Sequence, residues 1–260
     1  MTLLSFPHLI KPNSHSNSFT SNDTDSAAEE ATPLTAYLPS LLLSQVPVSP
    51  APFSLPPGSP VLMLADASGF TKLTNILSAD DMSVVLSLFF SKMIDIIARY
   101  GGDVLKFAGD ALIIYFPPGD GVSKRGLACA LEMSEELHDY PAGKKRVQRG
   151  KGVGSFVFDS RSLFAAQGHT LSLHVAVLKV PGTDQSDGLK GSVLGSVGSR
   201  FEFVVHSPYI GDSGVILDNT SGGQIGCNMG ILEDVEGAKG VKIGETERGE
   251  YFTVVNTAST

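Results

Sequence analysis

The sequence has no apolar run approaching the roughly 20 residues that a helix needs to cross a bilayer, which excludes an ordinary helical span. It also lacks a surplus of basic charge: 19 lysines and arginines stand against 27 acids, for a net charge of −8. That balance carries no electrostatic footprint for nucleic acid or for an anionic membrane. A polyanionic ligand would have to be held by metal and by local groups, against the overall field. Cysteine is scarce. Cys129 and Cys227 are the two present; they show no metal-binding spacing and fit buried structural thiols in a reducing compartment. The N-terminal stretch, with His8 and Lys11 among Ser, Asn and Thr, lacks the apolar core of a signal peptide, so a cytoplasmic location is expected.

What is present suits one α/β core with tails. Residues 1–33 are rich in Ser, Thr and Asn and carry Asp23, Asp25, Glu29 and Glu30, a composition that predicts disorder. Residues 34–60 form a lead-in, apolar from Leu34 to Leu43, followed by a connector with six prolines between 46 and 60. The folded body is expected over 61–257. Val61 to Ala65 predicts a central strand, and Phe70 to Leu77 a short helix. Met82, Val85, Leu86, Phe89, Met93, Ile96 and Ile97 recur at helical spacing behind a Ser78–Asp81 capping signal, with Gly101 and Gly102 as the stop. Asp103–Phe107 and Ala111–Phe116 predict a hairpin, Lys124–Tyr140 a helix, and Leu171–Val180 and Phe201–Val205 strands. Residues 141–170 show no period and are expected to be an irregular insertion. The order strand, helix, hairpin, helix, strand is that of an α+β sandwich of the ferredoxin-like or palm type, a mostly antiparallel sheet with helices packed on it.

Two segments carry chemistry. In Leu64-Ala65-Asp66-Ala67-Ser68-Gly69-Phe70-Thr71 and Lys106-Phe107-Ala108-Gly109-Asp110-Ala111, one aspartate is embedded among apolar runs that predict buried strand. A carboxylate so placed is costly unless it binds something, and a pair on neighbouring strands would offer hard oxygen ligands to Mg²⁺ or Mn²⁺. Gly69 marks a turn that opens a helix, where free backbone N–H groups cradle phosphate. Together these features predict a metal–triphosphate site. Taken singly, Asp66 could be a helix-capping carboxylate and Asp110 an ordinary turn residue. His169, His174 and His206 have no ligand spacing and receive no role.

At these residues the chain resembles the class III nucleotide cyclases, and among them the first catalytic domain of the soluble, bicarbonate-regulated adenylyl cyclases. The resemblance rests on Val61 to Thr71, on Gly101 through Leu112, and on the lead-in Ala36-Tyr37-Leu38-Pro39-Ser40-Leu41. It implies conversion of ATP to 3′,5′-cyclic AMP and pyrophosphate with two Mg²⁺ or Mn²⁺ ions, held by Asp66, Asp110 and the carbonyl of Ala67. The amides near Ser68, Gly69 and Phe70, with the Thr71 hydroxyl, would bind the polyphosphate; Lys106, beside Gly109, would contact the base or a regulatory anion. It also implies a second cyclase domain as partner, because such sites lie between two domains and one of them supplies an Asn and an Arg. This chain departs from the pattern there. Aligned on Gly211, Val215 falls at the Asn position, Asn219 at the Arg position and Pro208 at the base-partner position, and no arginine lies between Arg200 and Arg248.

Two other functions remain open at this stage. A cyclase-fold module that binds nucleotide and metal without turnover would fit the missing Asn and Arg. Arg99-Tyr100-Gly101-Gly102-Asp103 is similar to the hairpin signature of diguanylate cyclases, although Val104-Leu105 follow in place of the expected residues.

Overall fold

The computed structural model describes residues 39, 41, 51–53, 55–141, 170–182, 187–195 and 201–255. The expected tail, most of the lead-in and connector at 34–60, and the interior of the 141–170 insertion lie outside these residues. The described residues fall into two compact units, a division within the stretch 61–257 expected as one domain.

The smaller unit contains a three-stranded antiparallel sheet in which β1 (Ala51–Phe53) and β8 (Phe201–His206) flank β7 (Lys190–Gly195). The strand expected at Phe201–Val205 is therefore present, but it pairs here and not in the main sheet.

The larger unit is built on β2 (Val61–Ser68), which lies between β4 (Ala111–Phe116) and β6 (Thr170–Lys179), antiparallel to both. Beyond β4 lies the edge strand β3 (Asp103–Ala108). Beyond β6 come β9 (Ile225–Asn228), β11 (Gly249–Val255) and β10 (Lys239–Thr246), and the short β5 (Tyr140–Pro141) also pairs with β6. Only the β6–β9 pairing is parallel among those described.

One face of this sheet carries α2 (Ala79–Arg99) and α3 (Val122–Leu137). The heptad-like spacing of α2 buries Met82, Val85, Phe89, Met93, Ile96 and Ile97 against Met63, Leu112, Ile114 and Phe116. The Ser78 hydroxyl caps α2 by accepting the Asp81 N–H at 3.3 Å, as its sequence signal predicts. Gly126 lets α3 lie close to β2, since a Cβ there would meet Val61 Cγ1 at 2.8 Å. Cys129 and Cys227 are both free and buried, and burial pushes each thiol up to about 12, consistent with structural thiols.

On the opposite face α4 (Pro208–Asp218) packs over β6 and β2. Ser207 caps it and Pro208 opens it, a signal the sequence carries in Ser-Pro. A bidentate ion pair holds α4: Arg248, in the β10–β11 turn, donates from Nε and Nη2 to the Asp212 carboxylate, which is 4% exposed. Arg248→Ala would strand that carboxylate without a partner, and a loss of about 3 kcal/mol is expected. Urea unfolding would measure it, and the paired exchange Arg248→Met with Asp212→Leu should lose less than the single change.

Candidate active site

The candidate site lies where β2 meets the β3–β4 hairpin. Asp66 is not at a strand end but two residues inside β2, paired with Ala111 on one side and His174 on the other. Asp110 occupies the exposed hairpin turn, and its carbonyl accepts the Ala67 N–H at 3.3 Å. The two aspartates, 44 positions apart in sequence, are thus within one strand spacing of each other. Burial, and then the charge of Asp110, holds the Asp66 carboxyl above its usual range; His174 opposes this rise and Asp218 of α4 adds to it.

A cation would relieve both causes of that shift. Among the described residues, however, no group of three or more His, Cys, Asp or Glu side chains is arranged to hold a metal. The protein's own donors fit a cation shared with a ligand that completes the shell, which is the habit of Mg²⁺ with phosphates.

The segment after Asp66 bends away from the sheet at Gly69, whose φ of 103° lies in the left-handed region. Any side chain there would be strained, and a Cβ would come within 2.9 Å of the Thr170 carbonyl. Gly69 caps α1 (Phe70–Thr74), shorter than the expected Phe70–Leu77. The leading amides of α1 have no intrahelical acceptor, and no side chain caps them. Ala67 is fully buried, Ser68 and Phe70 are half-buried, and the Thr71 side chain is exposed beside them. Gly109, at φ 73°, lets the hairpin turn beside Asp110 with open space around it.

Lys106 reaches this face through a feature that strand alternation does not foresee. In β3 the register jumps between Val104 and Lys106, so that Leu105 is an extra residue, a β-bulge. After the bulge Lys106 pairs with Ile113, on the same side as Asp66, and Phe107 pairs with Leu112, on the helix side. Lys106 is exposed.

His174, given no role from sequence, proves to stand directly across the ladder from Asp66. Its alternate position in Leu171–Val180 was visible, but only the β2–β6 register reveals what it faces. Val215 projects from α4 at 41% exposure, and the Asn219 amide donates to the Val215 carbonyl at 2.8 Å. Asn219 is thus bound to its own helix end. Gly101-Gly102 joins α2 to β3 and is not a hairpin turn, unlike the diguanylate cyclase signature; the hairpin turn holds Gly109 and Asp110.

No family model matches the chain. It is 33% identical to adenylate cyclase type 10 of Rattus norvegicus over 86 residues, which are 30% of this chain and 5% of that protein. It is 36% identical over 92 residues to a photoactivated adenylate cyclase subunit beta-like protein of Euglena gracilis, 35% of this chain and 11% of the relative. The chain therefore spans a small part of the length of these relatives. Among solved structures, the adenylyl cyclase CyaB from P. aeruginosa matches with a TM-score of 0.56 and 16% identity, covering 78% of this chain and 97% of that one. The guanylate cyclase domain of RhGC from Catenaria anguillulae, solved with GTP, matches at 0.55 and 14%, covering 76% and 96%. The chain accordingly has the fold of class III nucleotide cyclase domains, and over part of its length its sequence resembles adenylate cyclase type 10, a soluble adenylyl cyclase.

Proposed function

We propose that this chain is the metal-binding half of an adenylyl cyclase site, which forms cyclic AMP and pyrophosphate from ATP when joined to a second cyclase domain. The observation that carries this reading is the meeting of Asp66 and Asp110 at the β2–hairpin junction, where burial and then the charge of Asp110 make the Asp66 carboxylate costly until a cation is shared. When bound, two Mg²⁺ or Mn²⁺ ions would supply acidification of the ribose 3′-hydroxyl and neutralisation of the departing pyrophosphate. Asp66 and Asp110 hold that charge in place, with the Ala67 carbonyl as a further donor. The leading amides of α1 bind and orient the polyphosphate, aided by the bend at Gly69 and the Thr71 hydroxyl. Lys106 lies on the same face, available to the base or to an anion.

The other half comes from elsewhere. A valine at 215 offers nothing to a phosphoryl oxygen, and Asn219 cannot replace a guanidinium. Adenine is the base favoured, because the relatives alike in sequence are adenylate cyclases; the structural neighbours include both adenylyl and guanylyl enzymes. The experiment is to measure cyclic AMP from ATP and Mn²⁺ with the purified chain, alone and mixed with a separately expressed second cyclase domain. Turnover only in the mixture supports the reading.

The same exposed valine favours a second reading, a nucleotide- and metal-binding regulatory module. Mn²⁺-dependent nucleotide binding without turnover in either arrangement would select it.

A further inference from the structure

Both segments of the proposed site have few anchors of their own. The five-residue α1 has no side-chain cap, and Leu73 is its one buried residue. The hairpin belongs to an edge strand whose last three residues, Lys106, Phe107 and Ala108, are exposed. Beyond the β2–β4 ladder and the Ala67–Asp110 backbone bond, an aromatic ring packs on each, and the two rings share a neighbour.

Phe70 follows Gly69 directly, and its ring stacks on Phe90 of α2 with centroids 6.2 Å apart and planes 14° apart. Phe107, three residues before Asp110, meets Phe90 edge-on, with centroids 5.5 Å apart and planes at 76°. Phe89, next along α2, presses on Phe70 at 6.3 Å and on Tyr140 at 5.4 Å. Phe89 is fully buried and belongs to the general core, whereas Phe90 is half-buried and joins the loop to the hairpin. Phe107 can reach Phe90 only because the bulge at Leu105 turns it toward the helices.

We infer that Phe90 is a positioning residue: it fixes the Asp66–Gly69 loop and the Asp110 hairpin relative to each other, so that both carboxylates can share a cation. Aromatic pairs in these geometries add directional preference beyond buried area, and a shared ring transmits displacement from one segment to the other because packed side chains do not deform smoothly. The inference rests on the proposed metal-binding reading.

The test uses Mn²⁺ alone as probe, followed by the electron paramagnetic resonance signal of the free ion, on the whole chain. Wild type should bind and Asp66→Asn should not. Phe90→Ala should weaken Mn²⁺ binding roughly 10-fold, in the range seen when groups supporting metal ligands are removed, and Phe90→Tyr should restore it. Leu131→Ala, which truncates a half-buried residue on α3, should lower the melting temperature and leave Mn²⁺ affinity unchanged. If Phe90→Ala fails to fold by circular dichroism, Phe90→Leu, which retains bulk without the ring, takes its place with the same expectation. Wild-type affinity in the folded Phe90 variant, or equal weakening in Leu131→Ala, overturns the inference while leaving the metal reading intact. No Mn²⁺ binding by wild type overturns both.

Discussion

Replacing Asp66 with alanine should cut cyclic AMP formation, in the mixture with a second cyclase domain, by on the order of 10³ or more. The size follows from losing a metal-held charge worth several kcal/mol in the transition state. The same position should behave in the opposite sense when stability is measured without divalent cations. Burial and Asp110 raise the folded-state pKa of Asp66 above that of an ordinary aspartate. The folded protein then binds more protons than the unfolded chain just above that value, so this group costs stability as pH rises through the carboxylate range. Asp66→Asn removes the cost: without cation it should melt at or above the wild-type temperature at neutral pH, with the gap closing in acid. Added Mn²⁺ should raise the wild-type melting temperature and not that of the variant. An Asp66→Asn protein less stable than wild type at neutral pH without cation would show that the carboxylate serves the fold, and wild-type turnover in Asp66→Ala would remove it from the chemistry.

The second large effect is a gain. Combining Val215→Asn with Asn219→Arg should raise the activity of the chain by itself by about 10³, the lower end of what an arginine contributes to phosphoryl transfer. The full range is not expected, because Pro208 still occupies the base-partner position. Both sites tolerate the change on structural grounds. Val215 is 41% exposed, so no core contact is lost. Asn219 stands at the C-terminal end of α4, where a cation is favoured by the helix dipole. Activity would appear only in dimers, each copy offering its carboxylates to the other's new Asn and Arg, so turnover should rise more than linearly with protein concentration. A folded double variant with no gain at any concentration would count against the half-site reading and in favour of the regulatory one.

Legibility in the sequence followed the range of the forces involved. β2, α2, the hairpin and α3 were visible because their apolar residues repeat with a clear period or stop at Gly and Pro. α4 was missed even though Ser207-Pro208 announces it, because Gly211, Gly214 and Asp212 blur its apolar face. β9, β10 and β11 hold four glycines and show no clean apolar period, and gain their order from pairing in the sheet. Asp66, Gly69 and Asp110 stood out through their flanking residues. The placing of His174 opposite Asp66 did not, because register between β2 and β6 joins residues more than one hundred positions apart.

The bulge at Leu105 makes the stretch from Lys106 to Asp110 intolerant of a change in length. Remove one residue there, so that Leu105 pairs in the ladder as an ordinary strand residue, and β3 could still close on β4. Lysine would then point into the apolar layer, and the phenyl ring would lie on the acidic face. Duplicated or shortened copies of this segment should therefore keep their residue count even where the residues themselves drift, and a gap in this hairpin would mark a copy that has given up the site.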